Sequence, residues 1–258
     1  MKKIAIELTN VSRKFISPTG VSTLALHDFS MTLHEGDFCA IVGPTGCGKS
    51  TALGMITGLS PPSSGTVRVF NQPVTKIDPN IGFVFQADAV FPWKNVIDNI
   101  SIGPIYRGTN KREAKDKAAE WVRRVGLSGF EYHYPHQLSG GMRKRVALAQ
   151  TFINEPKILL MDEPFSALDV QTRALMQDEL LGLWSENKAS VVFVTHDIEE
   201  AIALADRVIV LTKGPGKIKS SYEINLPRPR DVSTARYSTE FINLSKQIWS
   251  DLKDEVHI

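Results

Sequence analysis

Phe38-Cys39-Ala40-Ile41-Val42-Gly43-Pro44-Thr45-Gly46-Cys47-Gly48-Lys49-Ser50-Thr51 joins a short apolar run to a glycine-rich loop. A continuous apolar run of this kind predicts a strand buried on both faces, as in a parallel sheet. Gly43 to Ser50 then match G-x-x-x-x-G-K-[ST], and a helix-like segment follows over 49–58. Strand before and helix after is the setting that this pattern requires. Gly46 and Gly48 allow backbone N–H groups to curl around phosphate oxygens without Cβ clashes. The helix N-terminus adds partial positive charge. Lys49 is placed to neutralise β- and γ-phosphates and Ser50 to ligate Mg²⁺. Gly43, Pro44, Thr45, Cys47 and Thr51 complete the expected nucleotide-contacting stretch. Cys47 reads either as a small loop filler or as a thiol that bound nucleotide would shield.

Outward from this loop, strand and helix patterns alternate. Residues 4–9 and 26–33 alternate apolar and polar, as half-buried strands do. Residues 65–70, 157–162, 190–195 and 208–211 read as further strands, the last of these as the final one. Residues 111–125, 141–153 and 170–187 read as helices. Alternation of this kind predicts an α/β fold with a mainly parallel sheet. Residues from about 89 to 154 carry no strand run and predict a helical insertion. The tail, with Pro215, Pro227 and Pro229, reads as irregular up to a helix-like stretch near 238–252.

Composition narrows the classes. The chain has 258 residues, 42% of them hydrophobic, which suffices for a substantial core. A formal charge of +2 gives no electrostatic footprint for nucleic acid, so no nucleic-acid partner is expected. Cys39 and Cys47 are too few for a disulfide scaffold and point to a reducing compartment. No stretch has the roughly 18 uninterrupted apolar residues of a membrane span, and Glu7, Thr9 and Asn10 interrupt any signal-peptide pattern. A membrane role would have to come through a partner.

Two further patterns bear on phosphate chemistry. Ile158-Leu159-Leu160-Met161-Asp162-Glu163 ends an apolar strand in two carboxylates. Asp162 then lies at the carboxyl edge of the sheet, where it can hold Mg²⁺. Glu163 can polarise a water for attack on the γ-phosphate. Alone, the pattern reads better as a solvated strand end; beside the phosphate loop, the functional reading is favoured. Leu138-Ser139-Gly140-Gly141-Met142 opens a helix and makes a second anion-binding helix start, or simply a serine cap. One phosphate loop does not need a second cradle in the same chain.

On these residues the chain resembles the ATP-binding subunit of an ABC transporter over about 4–215. Leu138–Met142 resembles the signature L-S-G-G-Q, with Met142 in place of glutamine. Gln86, after Ile81-Gly82-Phe83-Val84-Phe85, resembles the glutamine that senses Mg²⁺ and water. Ser166-Ala167-Leu168-Asp169 resembles the D-loop, with Asp169 toward the nucleotide, and His196 resembles the switch histidine. Phe15 falls where the family stacks an aromatic on adenine. The resemblance implies a P-loop NTPase fold of the ABC ATPase kind: a mainly parallel core sheet, an N-terminal antiparallel β-subdomain and an inserted α-helical subdomain. It implies one nucleotide-binding domain over 1–258, the helical part at about 89–154 and a short C-terminal extension at about 215–258. Glu163, His196 and Gln86 would be catalytic, Ser50, Gln86 and Asp162 would hold Mg²⁺, and ATP would be hydrolysed.

The partners follow from the same resemblance. A second copy would pack head to tail, so that Ser139, Gly140 and Gly141 serve the partner's γ-phosphate. Membrane permease subunits would dock at the loop around Phe91, Pro92 and Trp93; the alternative is a loop folded back on the helices. A periplasmic or lipid-anchored solute-binding protein would act indirectly, and the expected place is the cytoplasmic face of the membrane. F-P-W-K-N-V-I-D-N-I, the run Gly141–Ala149 and Leu226-Pro227-Arg228-Pro229-Arg230-Asp231 are similar to the nitrate, sulfonate and taurine importers, a group that also has thiamine-precursor members. The last of these segments would otherwise be a stiff basic linker. The regulatory β-domain of sugar-type importers is not expected. The competing reading is a soluble ABC-type ATPase of DNA repair, translation or cluster assembly. His133 and His136, which flank Pro135, read as loop residues, and the basic residues of 111–125 as a solvated face.

Overall fold

The computed structural model describes residues 2–256; Met1, His257 and Ile258 of the expected 1–258 domain lie outside the described residues. In chain order the elements are β1 (Ile4–Ile16), β2 (Ser22–His34), β3 (Phe38–Val42), α1 (Lys49–Ile56), β4 (Ser64–Val69), β5 (Gln72–Pro73) and β6 (Ile81–Val84). Three helices follow: α2 (Val96–Tyr106), α3 (Lys111–Arg124) and α4 (Gly140–Phe152). Then come β7 (Ile158–Asp162), α5 (Val170–Asn187), β8 (Ser190–Thr195), α6 (Ile198–Leu204), β9 (Arg207–Leu211), β10 (Ile218–Glu223), α7 (Val232–Ala235) and α8 (Thr239–Val256).

Two sheets form. One is antiparallel, in the order β2-β1-β4-β5; the other runs β10-β9-β3-β8-β7-β6, parallel except for β10 at its edge. The apolar runs of β3, β7 and β8 are buried throughout because each face of this sheet is covered. Residue parity divides them between two cores. Phe38, Ala40, Val42, Leu159, Met161, Val191 and Phe193 face the side of α2–α6 and α8. Cys39, Ile41, Ile158, Leu160, Val192 and Val194 face α1 and the antiparallel sheet. Between residues 89 and 154 the named elements are helices, and α4 lays Val146, Leu148, Ala149 and Phe152 into the same core as the sheet. On α3 the periodic Ala114, Ala118, Trp121 and Val122 are buried, while Lys115 and Lys117 pair with Asp98 and Glu113. That is the solvated basic face expected.

The tail departs from the reading of its sequence. Val208–Leu211 is not the last strand: β10 pairs antiparallel with β9. Its pattern hides it, because only Ile218 and Tyr222 are apolar on the half-buried side, and Ser220 between them bonds Asp251 of α8 instead. Nor is Leu226–Asp231 a linker. The buried Arg230 guanidinium donates to the carbonyls of Ile202, Ala203, Ala205, Ile224 and Leu226, while Arg228 bonds Asp206 and lies over the Trp184 ring. Burial, with Arg228's charge beside it, lowers Arg230 to about 10, so it remains a cation at neutral pH. α8 runs on past 252 to Val256, and Asp231 caps α7.

Candidate active site

β3, β8 and β7 are neighbours and run parallel, so their carboxyl ends open on one edge. Register pairs Val42 with Thr195 and Asp162 with Val194. Gly43, Glu163 and His196 therefore leave the sheet at one level. Such an edge is where open parallel sheets bind their ligands. Lys49, Asp162 and His196 are far apart in sequence and meet for this reason alone.

The loop is gripped from behind. Gly48 has φ 98°, and a Cβ there would lie 2.7 Å from the Ala25 carbonyl oxygen. The turn before β10 passes so close that a Cβ on Gly216 would sit 2.0 Å from the Cys47 oxygen. Gly216 is tied there by hydrogen bonds from its N–H to Ala25 and from His27 N–H to its own carbonyl. Cys47 corrects one expectation. It is 0% exposed and packed in the core beneath the loop, so protein rather than nucleotide shields its thiol. Burial pushes that thiol up, against the opposing Lys49 charge. Only its main chain is available to a ligand.

The predicted site residues form a short chain of contacts. Lys49 Nζ donates to the Gly43 and Pro44 carbonyls at 2.8 and 3.0 Å and stands 4.0 Å from Glu163 Oε1. Ser50 Oγ donates to Asp162 Oδ1 at 3.0 Å. Glu163 Oε2 lies 3.0 Å from His196 Nδ1. Glu163 has φ 43°, a left-handed conformation that a non-glycine residue adopts at a cost of order 1 kcal/mol. Its N–H is held by the Val194 carbonyl at 2.9 Å. The turn takes the side chain off the strand direction toward Lys49 and His196. Burial raises Asp162 and the Glu163 charge adds to this, while the Ser50 hydrogen bond and Lys49 oppose it. A hydroxyl and a carboxylate oxygen converging at one point are the hard donors that Mg²⁺ takes, with phosphate oxygens and water completing its shell. His133 and His136 sit on the loop and short 3₁₀ turn that precede α4. They pack against Phe130 and Tyr134.

The other predicted residues stand apart from this group. Gln86 follows β6, beside the end of β7, and its side chain makes no hydrogen bond to Ser50 or Asp162. Phe15 is exposed at the end of β1, with the Arg13 guanidinium 4.8 Å from its ring centre. Ser139 caps α4 by accepting from Met142 N–H at 3.2 Å, and Asp169 caps α5 by accepting from Thr172 N–H at 3.0 Å. These two helix starts adjoin, since a Cβ on Gly141 would lie 2.9 Å from Thr172. The cap hydrogen bonds hold the Asp169 carboxyl below its usual range. A cleft of about 1340 Å³ lies at the opposite end of the sheet, against Trp184, Asp206 and Arg228, and holds none of these groups.

One network escaped the sequence reading. Arg173 on α5 donates to the Leu168 carbonyl and to Asp197, and so joins the segments that carry Asp169 and His196. Below it the buried Glu200 accepts from Thr195 at 2.7 Å and from Gln177 at 3.1 Å. Periodicity alone marks charged helix residues as surface, yet Glu200 is buried and Arg173 half-buried.

A gripped phosphate loop, a hydroxyl–carboxylate pair and a carboxylate–histidine pair at one sheet edge define a P-loop nucleoside triphosphatase. The profile of the ABC transporter family matches residues 26–166. The chain is 39% identical over 245 residues to an aliphatic sulfonates import ATP-binding protein of Bacillus cereus, covering 95% of this chain and 94% of that protein. It is 41% identical over 253 residues to a nitrate import ATP-binding protein of Synechocystis, covering 96% and 95%. Among solved structures, a dimeric ATP-binding cassette in a post-hydrolysis state, bound to ADP and Pi, is 31% identical with a TM-score of 0.75, covering 86% of this chain and 100% of that one. The chain belongs to the ABC transporter family, as an ATP-binding subunit that hydrolyses ATP.

Proposed function

We propose that this chain energises uptake of a small solute, of the nitrate, sulfonate or taurine type or a thiamine precursor, through a separate membrane permease. The observation that carries the catalytic part is the contact chain Lys49–Glu163–His196 beside Ser50–Asp162. Lys49 and the main-chain N–H groups of the loop from Gly43 to Thr51, Pro44 having none, hold the phosphates of ATP, with Phe15 stacking on adenine. Glu163 accepts the proton of the attacking water, and His196, 3.0 Å away, orients that carboxylate. Ser50, Asp162 and Gln86 would hold Mg²⁺, which when bound neutralises charge on the β- and γ-phosphates.

Ser139, Gly140, Gly141 and Asp169 share no hydrogen bond with that contact chain among the described residues. This supports their serving the nucleotide of a second copy, packed head to tail. For the permease, the best-supported surface is a groove of about 580 Å³ between β6 and α4, lined by Phe83, Phe85, Val90, Phe91 and Asn154. Trp93 stands 71% exposed at its rim, against Phe91. The buried Asn99 pins the loop by bonds to Phe91, Lys94 and Asn95. Asn154 Oδ1 is buried there without a partner, which favours an incoming donor. We place the helical part at about 89–154 and the C-terminal extension at about 215–258 within one nucleotide-binding domain. A solute-binding protein completes the assembly indirectly, and the place of action is the cytoplasmic face of the membrane.

Glu163→Gln should lower Mg-ATP turnover by about 10²–10⁴-fold while ATP still binds. An undiminished rate would remove Glu163 from its role. The importer reading is tested by capture of a polytopic membrane protein from membranes, weakened in Trp93→Ala, and by loss of labelled nitrate or sulfonate uptake on deletion. Recovery of soluble partners alone would favour the repair or translation reading.

A further inference from the structure

Lys144 lies in α4, the helix that Ser139 caps, and its side chain is only 4% exposed. Its ammonium has three N–H donors and finds three acceptors: the Gln86 carbonyl at 2.6 Å, Asp88 Oδ1 at 3.2 Å and the Phe85 carbonyl at 3.3 Å. All three belong to one segment, 85–88. The neighbouring Arg143 closes the arrangement. Its Nε donates to Asp88 Oδ2 at 2.9 Å, and its Nη1 to the Leu138 carbonyl at 2.7 Å, next to Ser139. Asp88 is thus shared between two adjacent cations of the helix. A carboxylate alone would satisfy the charge of Lys144. The two carbonyl bonds add position, because they fix the main chain on which Gln86 is carried. Moving that main chain off α4 leaves a buried cation short of acceptors, which is strongly disfavoured.

We infer that Lys144 is a positioning residue for Gln86, and that Lys144, Arg143 and Asp88 make the Gln86 segment and the Ser139–Gly141 helix start move as one body. This rests on the roles proposed above for Gln86 and Ser139. Its consequence is local: loosening this anchor misplaces Gln86 while the loop 43–50 stays in place.

The test uses the full chain with Mg-ATP. Lys144→Met keeps the length and apolar stem and removes the charge. Its kcat should fall about 10- to 100-fold, the size of effect expected when a reacting group is misplaced. KM for ATP should stay within about twofold and the unfolding midpoint near that of the parent. Amide exchange should speed up in 85–90 and stay unchanged in 43–50. A folded Lys144→Met with kcat within about twofold of the parent, or unaltered exchange in 85–90, would overturn the inference. If Lys144→Met does not fold, Asp88→Asn reads the same link from the loop side: a fall in kcat without a change in KM supports it, and an unchanged kcat overturns it. Glu163→Gln separates the levels. Full turnover in Glu163→Gln sinks the underlying site reading, whereas an inactive Glu163→Gln beside a fully active Lys144→Met sinks this inference alone.

Discussion

Glu163 shows how the site depends on single backbone conformations. Its left-handed φ turns a carboxylate that would continue the line of β7 toward His196. Such a strained residue persists only where its surroundings over-determine it, here through the Val194 carbonyl. Cys47 shows the same dependence in reverse. The phosphate loop curls so that this side chain enters the core, which no motif reveals. An alkylating reagent should therefore leave Cys39 and Cys47 unmodified in the native chain, with or without ATP, and modify both after denaturation. Cys39 is also protected chemically, since burial pushes its thiol up to about 11. Labelling of Cys47 in the native chain that ATP abolishes, read by mass spectrometry of the loop peptide, would restore a loop-facing thiol. Legibility at this scale was uneven. Lys49 and Ser50 follow from local pattern, whereas Lys144 and Arg173 do not, because their partners are more than twenty residues away or on another segment.

Among the elements, the tail differs most from its sequence signal. A run of Pro and Arg reads as linker, yet Arg230 satisfies carbonyls of α6 and of the segment after β10. It links elements that share no sequence pattern. α8 is held by a second polar anchor: Asp251 accepts from Ser220 and from Tyr222, the latter at 2.7 Å. These hydrogen bonds hold the Asp251 carboxyl below its ordinary value of 3.8. The sign follows by linkage. A carboxylate with a depressed folded-state pKa stabilises the fold above 3.8 and loses that contribution as pH falls through the lower folded value. Acid titration should thus loosen α8 from β10 in that window. Trp249 fluorescence should report it, and Asp251→Asn should remove that step. A transition of unchanged size in Asp251→Asn would assign the acid step to other carboxylates. β10 was illegible because one of its three inward positions is Ser220, and an edge strand with two apolar residues carries too little periodic signal.

For the whole molecule, the central question is why two helix starts suited to phosphate occupy one chain. α1 opens beneath the loop after β3, while α4 opens on the far side of the helical segment, tied to Gln86 and not to Lys49. A ligand shared by two such surfaces couples binding to association. Glu163→Gln, which retains ATP, should be a dimer with Mg-ATP and a monomer without it, by light scattering. A monomer at saturating ATP would count against the head-to-tail arrangement. The parallel strands, the phosphate loop, the paired carboxylates after Met161 and the family are legible in the amino-acid order, because each is a local pattern whose chemistry lies within a few residues. Which of those residues meet depends on the fold. Lys49, Glu163 and His196 come together through strand order and register, Cys47 turns inward through loop curvature, and Lys144 and Arg230 become buried cations through partners distant in sequence. Hydrophobic periodicity reports burial against water, but it cannot report a buried charge whose compensation comes from carbonyl groups brought in by the fold.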